Sequence, residues 1–203
     1  MIKLYGYKLC PYAQGVLFFL KDSSIKYEVE YISLKNKPKW FLEISPNSKV
    51  PIIQTKNKTV LFESSIIFDY LNKEYDLHLL PKINEEEMLM KSYLIFIGNL
   101  LLTQFKIATG DKSLLIKLTH DYQTFSNYYC KLSCSTNFLD YALIPFYLRE
   151  YSNPLLRLNV KEILENKLAN ICQNLNITLQ WINEFKDEYL SYIEHRTQSN
   201  SYL

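Results

Sequence analysis

The chain has 203 residues, of which 48% are hydrophobic and 22% charged, and its formal net charge is +2. This composition is that of a globular protein with one large or two small domains. The small net charge argues against nucleic acid or an anionic membrane as the main partner. Because the sequence shows no signal peptide and no long apolar span, we expect a cytoplasmic protein with no membrane partner.

Short strands and short helices alternate over residues 1–75. We predict strands at Ile2–Tyr5, Tyr27–Tyr31, Val50–Ile53 and Thr59–Phe62, and helices at Pro11–Lys21, Pro38–Ile44 and Ser64–Tyr75. The last helix has four apolar or aromatic residues for its inner face: Ile66, Ile67, Tyr70 and Leu71. The order β-α-β-α-β-β-α, with a parallel crossover first and a hairpin last, predicts a thioredoxin-like α/β domain.

Residues 76–83 interrupt this pattern and are predicted to be a linker. From residue 84 the hydrophobic period changes to 3.6, which predicts an all-helical domain over 84–203. The expected helices cover 84–108, 112–132, a segment from Asn137, Val160–Ile171 and Thr178–Tyr192, followed by a polar tail. The first carries an apolar stripe through Met88, Leu89, Tyr93, Leu94, Ile97, Leu101 and Phe105. Asn137 and Asp140 have the spacing of a reciprocal helix cap.

Cys10 is the most informative residue, because Pro11 follows it directly after the first predicted strand. Proline suits the first position of a helix, so Cys10 becomes its N-cap, with the sulfur facing free backbone N–H groups. Such a site lowers a thiol pKa from about 8.5 to roughly 3.5–7.5 and gives a reactive thiolate. The alternative is a small buried hydrophobic residue. The four cysteines of the chain, Cys10, Cys130, Cys134 and Cys172, are too few and too scattered for a disulfide framework, and no metal site is indicated.

Two further clusters carry polar groups that could bind a ligand. Val50–Pro51 begins a strand, and a cis bond there would present the Val50 backbone to an extended peptide. Glu63 and Ser64 lie at a strand-to-helix junction, where a carboxylate and an ammonium of a ligand could be held. The alternatives are a proline at the start of an edge strand and a serine that caps a helix. Together with Cys10 the clusters suit a small thiol peptide, which describes glutathione.

Four segments resemble those of omega-class glutathione transferases. They are Leu9–Tyr12, Leu34–Phe41, Ser45–Pro51 and Phe62–Leu71, and in the second half Phe138–Pro145 is similar to a helix start of the same family. The resemblance implies the glutathione transferase fold, with a thioredoxin-like domain followed by an all-helical domain. It also implies glutathione as co-substrate and a homodimer.

The resemblance implies a role for each matched residue. Cys10 would form a mixed disulfide with glutathione. Leu34 and Lys37 would line the glutathione site, Val50 next to Pro51 would bind the cysteinyl backbone, and Glu63 with Ser64 would hold the γ-glutamyl end. Tyr12 occupies the position of an aromatic residue close to the thiol. Members of this class act as thiol transferases and dehydroascorbate reductases on small-molecule or glutathionylated substrates.

Two other functions remain open at this point. Stringent-starvation-type regulators, which bind RNA polymerase, have similar segments around the proline and the Glu-Ser pair, and many of them lack the cysteine. A scaffold that binds glutathione or another ligand without turnover is the second alternative. The polar residues near the C-terminus stand where omega-class members continue with an aromatic segment, so the second substrate is not defined.

Overall fold

The computed structural model describes residues 1–81, 84–129, 131, 137–156, 173 and 179–200. Cys130, Cys134, Cys172 and the predicted helix Val160–Ile171 lie outside these residues. The described chain forms two compact units, Met1–Leu94 with Asn137–Ala142, and Ile95–Thr136 with Leu143–Leu203. The division into domains at 1–75 and 84–203 remains our proposal, because the units do not follow chain order.

A four-stranded mixed sheet forms the centre of the first unit. Its strands are β1 (Ile2–Gly6), β2 (Tyr27–Tyr31), β3 (Ile52–Gln54) and β4 (Val60–Phe62). They are arranged in the order β2-β1-β3-β4, with β1 parallel to β2 and antiparallel to β3, and with β3 and β4 as a hairpin. The predicted thioredoxin-like order is thereby confirmed.

Three helices accompany the sheet: α1 (Pro11–Asp22), α2 (Lys39–Ile44) and α3 (Ser64–Glu74). Tyr5, Ile32, Phe41 and Ile52 form a buried apolar cluster, and the partly exposed ring of Trp40 lies 5.5 Å from that of Tyr5. On α3, Ile67 and Leu71 are buried as predicted, but Ile66 is exposed and Phe68 is buried instead. The buried face of α3 therefore lies slightly around the helix from the face that the sequence predicted.

The start of helix α6 (Phe138–Ser152) belongs to the first unit. The Asn137 Oδ1 atom accepts from the N–H of Leu139 at 3.0 Å, and Asp140 Oδ2 accepts from the N–H of Asn137 at 2.8 Å. The predicted reciprocal cap is confirmed. One turn on, the Tyr141 hydroxyl donates to Asp22 at the end of α1. Gly15 of α1 lies so close to the Tyr141 carbonyl that a Cβ atom would come within 3.1 Å.

The second unit contains most of α4 (Asn84–Ala108), α5 (Leu115–Tyr129), the rest of α6 and α7 (Leu179–Asn200). Aromatic rings fill it: Tyr122 stacks on Phe146, and the rings of Trp181, Phe185 and Tyr189 stack along α7. The guanidinium of Arg149 lies 5.4 Å from the centres of the Phe185 and Tyr189 rings.

Several helix expectations differ from the structure. A 3-10 turn at Lys112–Leu114 precedes α5, and α7 continues to Asn200 through the residues predicted as a polar tail. On α4, Met88 and Leu89 are exposed, while Leu94, Ile97 and Leu101 are buried.

By length and composition alone α4 could cross a membrane, contrary to our expectation of no long apolar span. A core helix of a soluble protein would satisfy the same criteria.

Candidate active site

Cys10 occupies the predicted place at the start of α1. It is the N-cap residue, and Pro11 is the first residue of the helix. The Cys10 N–H donates to the Tyr7 carbonyl at 3.0 Å, and the Cys10 carbonyl accepts from the N–H of Gln14 at 2.9 Å. The side chain is half-buried and not in a disulfide. The backbone around Cys10 is therefore held on both sides.

The contact that the structure describes for the Cys10 sulfur is with a backbone carbonyl. The sulfur makes no capping hydrogen bond, and the thiol donates to the Val50 carbonyl, with 3.7 Å between Sγ and O. A carbonyl can only accept a hydrogen bond, so the Cys10 sulfur can make this contact only as a neutral thiol that donates. A thiolate cannot donate to Val50, so its formation favours a turn of Sγ toward the N–H groups at the helix start.

The structure brings the Val50–Pro51 segment next to Cys10. The Val50–Pro51 peptide bond is cis, as expected. Val50 packs against the apolar cluster around Tyr5, which fixes the carbonyl that accepts from the thiol. The alternative of an edge strand does not apply, because β3 lies between β1 and β4. Cys10 and Val50, forty positions apart in sequence, are thus neighbours.

Glu63 and Ser64 lie at the junction of β4 and α3, as predicted. Glu63 is the N-cap residue with φ 65°, in the left-handed region, and its side chain makes no capping hydrogen bond. Its carboxylate is exposed and accepts from the Asn47 amide at 3.0 Å. Ser64 is the first residue of the helix, so it does not serve as the N-cap that the alternative required.

The remaining predicted site residues, Tyr12, Leu34 and Lys37, lie on the same unit. Tyr12 is half-buried at the second position of α1. Leu34 and Lys37 are half-buried in the segment between β2 and α2. Among the described residues, no hydrogen bond or ion pair links Leu34 or Lys37 to Cys10, Val50 or Glu63. Their roles in the site stay predictions.

Two residues that our sequence analysis did not select contribute to the geometry. Gln14, 4% exposed, donates from Nε2 to the Lys8 carbonyl at 2.9 Å and so fixes the loop before Cys10. Asn47 connects the segment before the cis-proline to Glu63. For Gln14 the sequence signal was a polar residue within the apolar sequence of α1. For Asn47 the signal was the turn-forming sequence Pro46-Asn47-Ser48.

Among the described residues no group of three or more His, Cys, Asp or Glu could hold a metal ion.

Comparison with known proteins agrees with this fold. Residues 9–74 match the family described as glutathione S-transferase, N-terminal domain. The chain is 36% identical over 75 residues to glutathione S-transferase omega-1 of Sus scrofa, covering 37% of this chain and 31% of that protein. It is 36% identical over 66 residues to the probable glutathione S-transferase DHAR1, cytosolic, of Oryza sativa subsp. japonica, covering 32% and 31%.

Among solved structures, glutathione transferase Omega 3C from Trametes versicolor matches with a TM-score of 0.72 at 19% identity, covering 97% of this chain and 92% of that chain. The chain therefore has the glutathione transferase fold, and residues 9–74 are similar in sequence to glutathione S-transferase N-terminal domains. This domain resembles the omega class in particular, as the four sequence segments predicted. The similar segment spans about a third of the length of these curated relatives.

Proposed function

We propose that the chain is an omega-like glutathione transferase that acts as a glutathione-dependent thiol transferase and dehydroascorbate reductase through Cys10. The observation that carries this proposal is the thiol at the N-cap of α1, 3.7 Å from the Val50 carbonyl beside the cis-proline. A thiol there has backbone groups of Val50 beside it that can pair with a peptide, and helix N–H groups that favour its thiolate. The similarity to relatives named glutathione S-transferases supports glutathione as that peptide.

The proposed reaction uses one protein thiol and two glutathione molecules. The Cys10 thiolate attacks the glutathione sulfur of a glutathionylated substrate, the substrate's disulfide bond breaks, and the substrate leaves as a thiolate that takes a proton from water. A second glutathione thiolate then attacks the mixed disulfide, which releases glutathione disulfide and regenerates the Cys10 thiolate. Position 13 is alanine, so no second cysteine of this motif can resolve the intermediate.

The other site residues complete the proposal for glutathione binding. The Val50 backbone would pair with the cysteinyl part, Glu63 and Ser64 would hold the γ-glutamyl end, and Tyr12, Leu34 and Lys37 would line the site. The exposed carboxylate of Glu63 suits an ammonium group. A non-catalytic regulator that binds RNA polymerase is not favoured, since these relatives are named as transferases. The cytoplasmic location remains part of the proposal.

Removal of the thiol tests the mechanism. We expect Cys10→Ser and Cys10→Ala to lower glutathione-dependent reduction of hydroxyethyl disulfide and dehydroascorbate by at least about 100-fold, since they remove the nucleophile. The control Cys172→Ser should keep full activity, and mass spectrometry should find a glutathione adduct on Cys10 alone. Activity that survives loss of Cys10 contradicts the mechanism. Glutathione binding without turnover indicates a carrier, and no binding at millimolar concentration favours the regulator.

We also propose that the protein forms a homodimer. Four large apolar side chains of β4, α3 and the start of α4 are exposed: Phe62, Ile66, Met88 and Leu89. We propose that these four side chains lie in the interface between the two chains, where burial of their apolar area would stabilise the dimer. Sedimentation that detects only a 24.1-kDa species at micromolar concentration would contradict the dimer.

A further inference from the structure

Asn47 uses both ends of its side-chain amide. Its Oδ1 accepts from the backbone N–H of Lys49 at 3.0 Å, and its Nδ2 donates to Oε1 of Glu63 at 3.0 Å. The orientation of the amide is settled by its partners, because a backbone N–H needs the oxygen and a carboxylate needs the NH₂ group. One neutral side chain therefore connects the segment before the cis-proline to Glu63.

The segment that carries Asn47 is itself held by hydrogen bonds. Ser45, 2% exposed, donates from Oγ to the Lys49 carbonyl at 3.1 Å, and the Ser45 carbonyl accepts from the N–H of Ser48 at 3.0 Å. The bond from Lys49 to Asn47 closes an Asx-turn over Ser48, whose φ is 53°. Asn47 thus has a fixed backbone from which to position another side chain.

The hydrogen bond from Asn47 orients the Glu63 side chain without placing a positive charge beside it. An exposed glutamate otherwise samples several rotamers, and ordering it costs free energy when a ligand binds. Asn47 holds Oε1, while Oε2 has no hydrogen-bond partner among the described residues. The amide is neutral and so adds no positive charge beside the carboxylate, whereas a lysine in that place would add one.

We propose that Asn47 is a positioning residue that orients Glu63 toward the free α-ammonium of a γ-glutamyl peptide, an inference that rests on the proposed glutathione site. Asn47 makes the site selective for γ-glutamyl peptides with a free amino group over N-acylated ones. It acts on affinity, because it touches the group that holds the ammonium and not the reacting sulfur.

Titration calorimetry with glutathione and N-acetylglutathione tests this role. We expect Asn47→Ala to weaken glutathione binding by about 5–10-fold, the effect of one typical solvent-exposed hydrogen bond that is lost, and to leave N-acetylglutathione binding unchanged. KM for glutathione should rise by the same factor while kcat stays within about twofold. Asn47→Ser should behave like Asn47→Ala, since a serine hydroxyl can still accept from Lys49 but is too short for Glu63.

A double-mutant cycle separates positioning from a general effect on the loop. In a Glu63→Gln background, with the carboxylate gone, Asn47→Ala should have no further effect on glutathione affinity. Asn57→Ala, in the exposed turn between β3 and β4, is the matched control and should bind like the wild type. Equal loss for both peptides, or a loss that persists in the Glu63→Gln background, overturns the inference. A wild type that binds no glutathione overturns the proposed function and the inference with it.

Discussion

The candidate site of the first unit and the aromatic core of the second unit are fixed by different kinds of interaction. In the first, single hydrogen bonds between particular groups set the geometry around Cys10: Gln14 with Lys8, Ser45 with Lys49, and Asn47 with Glu63. In the second unit, stacked aromatic rings hold the helices together, as between Tyr122 and Phe146 and along α7. A hydrogen bond requires one donor and one acceptor at a given place, whereas packing requires apolar volume that several residue types can supply.

This difference accounts for where the chain resembles its relatives. The matched family domain covers residues 9–74, while the fold matches a solved structure over 97% of the chain at 19% identity. Residues 9–74 contain Gln14, Ser45, Asn47 and Glu63, whose side-chain hydrogen bonds a substitution would break. The helical unit can keep its architecture through many exchanges of one apolar residue for another.

The largest expected effect comes from removing a ring in the second unit. Phe125 on α5 is fully buried, 5.5 Å from the Tyr129 ring. Phe125→Ala should lower the free energy of unfolding by about 3–5 kcal/mol, through lost burial and the cavity left behind. Phe125→Leu should cost only about 1 kcal/mol, since it stays apolar. Urea unfolding measures both, with Ile116→Ala as the control because Ile116 is 84% exposed. If Phe125→Ala and Phe125→Leu lowered the free energy of unfolding by the same amount, the idea that the core accepts any apolar side chain of suitable volume would be contradicted.

An ion-pair network in the first unit gives a smaller, pH-dependent effect. Partial burial raises the pKa of Asp69, but hydrogen bonds and charges of Lys91 and Lys73 outweigh it, so the pKa is lowered below 3.8. The folded state then binds fewer protons, and its stabilisation, about 1 kcal/mol, is present at neutral pH and lost as pH falls below about 4. Asp69→Asn should be less stable than the wild type at pH 7, and the difference should shrink toward pH 3. Urea unfolding at both pH values checks this; a constant difference would contradict it.

Two buried tyrosines give the smallest and sharpest contrast. The Tyr141 hydroxyl donates to Asp22, so Tyr141→Phe in the first unit should cost about 1 kcal/mol. The Tyr189 hydroxyl is buried with no hydrogen-bond partner among the described residues. Burial is the main cause that raises its pKa to about 12; the Arg149 charge lowers it and Tyr192 raises it further. Tyr189→Phe should be neutral or stabilise the protein by up to about 1 kcal/mol. Thermal unfolding compares the two, and a larger loss for Tyr189→Phe would contradict the contrast.

The sequence was most informative where a signal is local. Strand β2 has the predicted limits, α1 begins at Pro11, and the Asn137–Asp140 cap forms as its spacing predicts. Each of these depends on residues within four positions of one another. Cys10, the cis bond of Val50–Pro51 and the helix start at Ser64 also lie in the fold where the sequence predicted them, while their roles in a site stay predictions.

Features that depend on distant contacts were missed or misplaced. Periodicity defines an apolar stripe but not its partner, so Ile66, Met88 and Leu89 were expected inside and are exposed. The direction of the Cys10 sulfur depends on Val50, forty positions away, and the contact of Asn47 with Glu63 joins residues sixteen apart. Neither pair has a sequence pattern that indicates the contact.

The tryptophans of the chain are divided between the units, with Trp40 beside Tyr5 in the first and Trp181 stacked on Phe185 in the second. Each unit therefore contains its own fluorophore. The variants Trp40→Phe and Trp181→Phe would each leave one emitting indole, so that fluorescence during denaturation follows one unit at a time. Coincident midpoints would mean that the sheet and the helices unfold as one cooperative body, and separate midpoints would give each unit its own stability.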